Sequence, residues 1–178
     1  ARGIASRSND RLAEACAAHP PRLIGMTAVA PQDPEWSAAE IKRGAALGFK
    51  GVQINSHTQG AYLDEPQFDP IFRALTDTGQ PLYIHPATLP DNMMGGMIDA
   101  GLDGAVFGFA VETSYHLLRL VTSGIFDRYP ELQIMAGHGC EALPYWLYRT
   151  NFMHQAGIRS GRYERMKPLK HDLFHYMR

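Results

Sequence analysis

The chain has 178 residues, 45% of them hydrophobic and 20% charged, with a formal net charge of −1. That composition is globular, with enough apolar content for a sizeable core, and it excludes a phosphate-selected basic excess, so no nucleic-acid or membrane-surface partner is expected. No apolar run approaches the roughly 18–20 residues that a membrane-spanning helix needs. Arg2 and Arg7 are followed by no apolar stretch, so the N-terminal segment is not a secretory signal. Without an initiator methionine, the chain is expected to begin mid-protein. Its two cysteines, Cys16 and Cys140, make neither a Cys-x-x-Cys pair nor a disulfide framework. A reducing, cytoplasmic compartment is the expectation.

Strand and helix signals alternate along the chain. Ser8 is expected to cap a helix through about Ala18, stopped by His19-Pro20-Pro21. Leu23 to Ala30 reads as a buried strand. Pro34 to Leu47 reads as a helix, with Gly48 as its stop. Gly51 to Ile54 is a second strand, and Asn55 to Glu65 a polar loop. Gln67 to Thr78 places Phe68, Ile71, Phe72 and Leu75 on one side of a helix closed by Gly79. Pro81 to Ile84 is a third strand ending at His85. A loop rich in Gly, Met and Asp runs from Pro86 to about Gly104, followed by a helix over roughly Phe107 to Val121. Leu132 to Ala136 is a fourth strand, ending at Gly137-His138-Gly139. A helix from about Glu141 to Ala156 and a shorter one near Pro168 complete the chain.

Apolar strands separated by single helices pair in parallel, with helices covering the sheet. The fold class is α/β, a single domain over 1–178, either an open doubly wound sheet or a (β/α) barrel. No Gly-x-Gly-x-x-Gly turn follows any strand, which weakens a dinucleotide-binding reading.

In barrels the reactive residues stand at the C-terminal ends of strands. Here those ends carry Asn55-Ser56-His57, His85-Pro86 and His138-Gly139. A histidine there suits metal ligation or proton transfer. His85 could equally be a rim histidine satisfied by backbone, and His138 a turn histidine between glycines. Glu141, three residues after His138, could cap the following helix or orient the His138 ring. Arg149, beside Tyr145, Trp146 and Tyr148, is either a surface arginine or a fork of donors for a substrate carboxylate. His57 is a lesser candidate for lining the pocket. His19, His116, His154, His171 and His175 read as structural or exposed, and nothing around Cys140 forms a nucleophile elbow.

The segments PLYIHPA (81–87), GIFDRYPELQIMAGHGCEALPYWLYR (124–149) and GFKGVQINSHTQGAYLDEPQFDPIF (48–72) resemble the amidohydrolase-related (amidohydrolase 2) decarboxylases. That family includes the aminocarboxymuconate-semialdehyde and γ-resorcylate decarboxylases, and the nearest likeness is to its 5-carboxyvanillate branch. The resemblance implies a (β/α)8 TIM barrel of the metal-dependent hydrolase superfamily, seen here as about four central strands. It implies a divalent metal, Mn2+ or Zn2+, ligated by His85. It also implies His138 in substrate contact or proton relay with Glu141 beside it, and Arg149 and Phe109 against a small aromatic acid. The remaining family ligands, a pair on the first strand and an aspartate on a late strand, are expected outside this sequence. Where the family often has Met-Gly before the glutamate, this chain has Gly139-Cys140.

The activity so implied is non-oxidative decarboxylation of a phenolic carboxylic acid, in a homo-oligomer (dimer or tetramer). Two alternatives remain at this point: a metal-dependent lactone or amide hydrolase on the same barrel, and an inactive barrel fragment that assembles only with partners.

Overall fold

A computed structural model describes residues 1–20 and 22–177. Four strands, β1 (Thr27–Ala28), β2 (Val52–Asn55), β3 (Leu82–His85) and β4 (Ile134–Ala136), lie in sequence order and pair in parallel. Helices α1 (Arg2–Ala18), α2 (Pro34–Ala46), α3 (Asp69–Thr78), α4 (Asp91–Asp99), α5 (Gly108–Thr122), α6 (Ile125–Arg128), α7 (Leu143–Ser160) and α8 (Leu173–Tyr176) surround them. Parallel neighbours need a crossover of a dozen or more residues, which α2, α3 and the α4–α6 run supply.

The register sorts the two faces. Val52, Leu82 and Ile134 stand in one row and Ile54, Ile84 and Ala136 in another, turned toward the helices. Ile41, Ile71, Phe72, Leu75, Leu120 and Leu143 close over them in one core. Each such side chain contributes about 1.5–3 kcal/mol by leaving water. Gln53, Tyr83 and Met135 form a row on the opposite face, and Asn55 stands beside His85 there. One face is core, and the other holds polar and half-exposed residues.

The helices are set by local chemistry. Asp33 accepts from the Trp36 N–H at 3.1 Å and Pro34 opens α2. Gly79 closes α3 with φ 62°. α1 starts at Arg2, six residues before the expected Ser8 cap, and the Ser8 side chain faces solvent. The helix ends at Ala18, before His19 and Pro20, while Pro21 lies outside the described residues. Leu23 and Ile24 are exposed and unpaired rather than part of a strand, since only Thr27 and Ala28 reach β2. The outer edge of Ala28 is instead sealed by Asn9: its Oδ1 accepts from the Ala28 N–H and its Nδ2 donates to the Ala28 carbonyl, both at 2.9 Å. The expected loop 86–104 contains α4, which buries none of its residues. The helix expected near Pro168 is the four-residue α8. Among the described residues, no helix is long and apolar enough to cross a membrane.

Candidate active site

Strand β3 ends at His85 and β4 runs into a tight turn, Gly137–Cys140, so the two strand ends deliver His85 and His138 side by side. Their ring centroids are 6.1 Å apart with planes at 70°. Gly137 makes this approach possible. A Cβ there would sit 2.6 Å from Pro86 Cδ and 2.7 Å from the Ile84 carbonyl oxygen.

His85 is exposed, and its Nδ1 lies 2.8 Å from the Pro86 carbonyl. A carbonyl only accepts, so Nδ1 carries the proton, and the tautomer this selects leaves Nε2 bare. That is the arrangement of a metal-ligating histidine, whose second nitrogen is tied to a backbone carbonyl. The donor set therefore fits one position of a divalent metal. Among the described residues, no group of three His, Cys, Asp or Glu side chains could hold the ion alone.

His138 has φ 49°, and Gly139, Cys140 and Glu141 follow with φ of 63°, 68° and 54°. Left-handed backbone at three non-glycine residues is costly, and such strain collects at functional sites. The strain turns the His138 ring back over Glu141, with Nδ1 at 3.1 Å from Oε1. The pair is within ion-pair distance but is not aligned as a hydrogen bond, which leaves Oε1 a buried acceptor beside the ring. Glu141 precedes α7 by two residues with non-helical backbone, so it does not cap that helix. Cys140 is half-buried. Burial, and then the Glu141 charge, push its thiol pKa up, which disfavours the thiolate.

The other two sequence candidates lie on helices. Phe109 is half-buried in the first turn of α5. Arg149 lies on an exposed face of α7 with Tyr145, Tyr148 and Phe152.

A buried cluster next to the site went unread in the sequence. Ser56 follows β2, and its hydroxyl lies 2.7 Å from Glu112 Oε1 and 2.9 Å from His116 Nδ1. His116 Nε2 accepts from the Leu63 N–H at 3.2 Å. The neutral ring therefore holds its proton on Nδ1 and donates to Ser56, whose own O–H goes to Glu112. Burial and then the charge of Arg119 press the His116 pKa down to about 3. Burial raises that of Glu112 against its bond to Ser56. His116 is thus structural as expected, but buried rather than exposed. The signal was present, because positions 112, 113, 116, 117 and 120 fall on one helical face with the apolar Leu117 and Leu120.

His57 is also fully engaged. Gly60 N–H donates to its Nδ1 at 3.0 Å, and its Nε2–H donates to the Thr88 carbonyl at 2.9 Å. A hollow of about 610 Å³ opens beside it, lined by Thr88, Leu89, Pro90, Asp91 and Met94 among others.

The amidohydrolase family model matches residues 1–163. The chain belongs to the amidohydrolase family. The solved structure of 5-carboxyvanillate decarboxylase from Novosphingobium aromaticivorans, complexed with manganese and 4-hydroxy-3-methoxy-5-nitrobenzoic acid, superposes with a TM-score of 0.96 at 69% identity. It covers 99% of this chain and 50% of its own. The 2,6-dihydroxybenzoate decarboxylase of Rhizobium superposes with a TM-score of 0.87 at 32% identity, over 99% of this chain and 56% of its own. The γ-resorcylate decarboxylase of Rhizobium sp. is 38% identical over 156 residues, 83% of this chain and 48% of that protein. The chain spans about half the length of the curated relatives it matches. In this amidohydrolase the parallel sheet β1–β4 is accordingly part of a (β/α) barrel.

Proposed function

We propose that this amidohydrolase sequence supplies the central strands of a metal-dependent, non-oxidative decarboxylase acting on a phenolic carboxylic acid of the 5-carboxyvanillate type. Residues 1–178 serve it as one structural unit. The observation that carries this reading is the pairing of His85 and His138 at neighbouring strand ends, each with Nδ1 turned to the protein and Nε2 left for chemistry. The 69% identity to a structure of 5-carboxyvanillate decarboxylase with bound manganese supports the substrate class and the metal.

His85 Nε2 would hold a divalent ion, Mn2+ in preference to Zn2+, together with oxygen ligands from elsewhere in the whole protein. When bound, such an ion supplies charge stabilisation to a phenolate–carboxylate pair and orients the ring. His138, with Glu141 against its Nδ1, handles the proton delivered to the ring carbon that bears the carboxylate. Protonation there breaks aromaticity, and loss of CO2 restores it. Arg149 pairs with the substrate anion through its fork of donors, and Phe109 packs on the aromatic ring. The enzyme is a homo-oligomer of the cytoplasm serving aromatic breakdown of the lignin type.

The test is CO2 release by the full-length protein loaded with Mn2+ and given 5-carboxyvanillate. Release that disappears on chelation is expected. An intact metal site with no CO2 release would overturn the decarboxylase reading.

A further inference from the structure

The loop after β2 is held mainly by side chains. Between residues 56 and 63, two backbone hydrogen bonds join Thr58 and Ala61, and Ser56 and Gln59 take left-handed φ of 42° and 53°. What fixes it is buried: Ser56 on Glu112 and His116, and the Leu63 N–H on His116. Tyr62 adds an edge contact to the His116 ring at 5.0 Å. One residue beyond Ser56, His57 ties the loop to the Thr88 carbonyl. Thr88 lies two residues after Pro86, whose carbonyl sets the His85 tautomer. A continuous path of covalent and hydrogen bonds thus runs from the interior face of α5 to the His85 ring.

The cluster is not a nucleophilic triad. Ser56 is fully buried, its carboxylate partner bonds the hydroxyl rather than the imidazole, and the far nitrogen of the ring is spent on backbone. Glu112 is fully buried with Oε2 unpaired. Apolar residues of similar volume are often as stable or more stable than such a group, so its presence calls for a role in specifying geometry.

We propose that Ser56, Glu112, His116 and His57 are positioning residues that anchor the segment after β3 to α5 and so hold the His85 ring with Nε2 bare and aimed at its ligand. Its ligand being a divalent metal rests on the function proposed above, whereas the ring geometry does not.

The decisive variants are His57→Ala and the pair Glu112→Gln and Glu112→Leu, made in the full-length protein. Nitrogen-15 NMR of the metal-free protein reads the His85 tautomer, and titration with Mn2+ followed by electron paramagnetic resonance reads affinity. In the wild type the Nδ1–H tautomer dominates. In His57→Ala it gives way to a mixture and Mn2+ affinity falls about 10–100-fold, the usual cost of losing an outer partner of a metal ligand. The melting temperature without metal stays close to that of the wild type. Glu112→Gln, which still accepts from Ser56, keeps wild-type affinity, whereas Glu112→Leu loses it. Unchanged tautomer and affinity in His57→Ala would overturn the proposal, as would losses that merely follow a fall in melting temperature. A wild type that shows the Nδ1–H tautomer yet binds no Mn2+ would sink the metal reading instead, and the tautomer shift in His57→Ala would then decide the positioning role by itself. Should Glu112→Leu fail to fold, the half-buried His57 variant still decides.

Discussion

The rings of His85 and His138 meet at 70° with centroids 6.1 Å apart, close enough to share one substrate and too far apart to satisfy each other. Their tethers divide the labour. His85 is fixed by a backbone carbonyl, as a ligand is, and His138 by the proximity of a carboxylate, as a proton carrier is. Replacing each should therefore have different consequences. In the full-length protein, His85→Ala is expected to abolish tight Mn2+ binding. His138→Asn should keep the metal and lower kcat by roughly 10²–10⁴, the range of a lost general acid or base. Metal titration and steady-state kinetics on both variants check this; loss of metal from His138→Asn would contradict it.

Glu141 has a buried Oε1 with His138 Nδ1 as its neighbour at 3.1 Å. Glu141→Gln removes the charge and keeps the shape. We expect a fall in kcat of about 10–100-fold with KM nearly constant, since the carboxylate acts on the ring rather than on substrate. A rise in KM alone would place Glu141 in substrate binding.

The barrel-like alternation, the strand ends and the histidines they carry were legible because buried strands and stop residues leave strong local signals. His85 and His138 stand at the ends of apolar runs, which marks them as candidates. The Ser56–Glu112–His116 cluster was not, because its members lie 56 and 60 residues apart and only the packing of α5 on the loop brings them together. The early start of α1 was missed for a similar reason: Arg2 and Ser6 find Asp33 and Glu40, 31 and 34 residues away. Asn9 looks like an ordinary polar helix residue until the exposed edge of Ala28 gives it a partner.

Burial also makes a pH prediction. His116 stays neutral when folded down to about pH 3, whereas the unfolded ring takes a proton below about 6.5. The unfolded state then binds one more proton across that window, so stability is complete above about pH 6.5 and is lost as the pH falls toward 3. The slope approaches about 1.4 kcal/mol per pH unit for this residue. The lowered pKa of His154, caused by burial, adds in the same direction. Glu112, raised by burial, works oppositely: the folded state holds its proton longer, so its contribution is present in acid and lost as the pH rises. Denaturant melts between pH 5 and 7 should show wild-type stability falling in acid, and His116→Gln should flatten that fall. An unchanged slope would mean the ring is protonated in the fold.

Gly137 lets the two strand ends converge, which makes it the sharpest structural test. A methyl group there meets Ile84 backbone oxygen at 2.7 Å as well as Pro86 Cδ at 2.6 Å, and neither can swing aside as a flexible side chain would. Gly137→Ala should cost about 1–3 kcal/mol by overpacking. Because the clash lies between β3 and the turn bearing His138, the relief available is to part the two histidines. Activity should consequently fall further than stability does, and added Mn2+ should restore it only partly, since His85 remains a competent ligand while its distance to His138 has changed. Thermal melts, Mn2+ affinity and kcat measured on the one variant separate these effects. A variant that melts lower yet keeps full kcat would show that the spacing of the two rings is not what the reaction depends on.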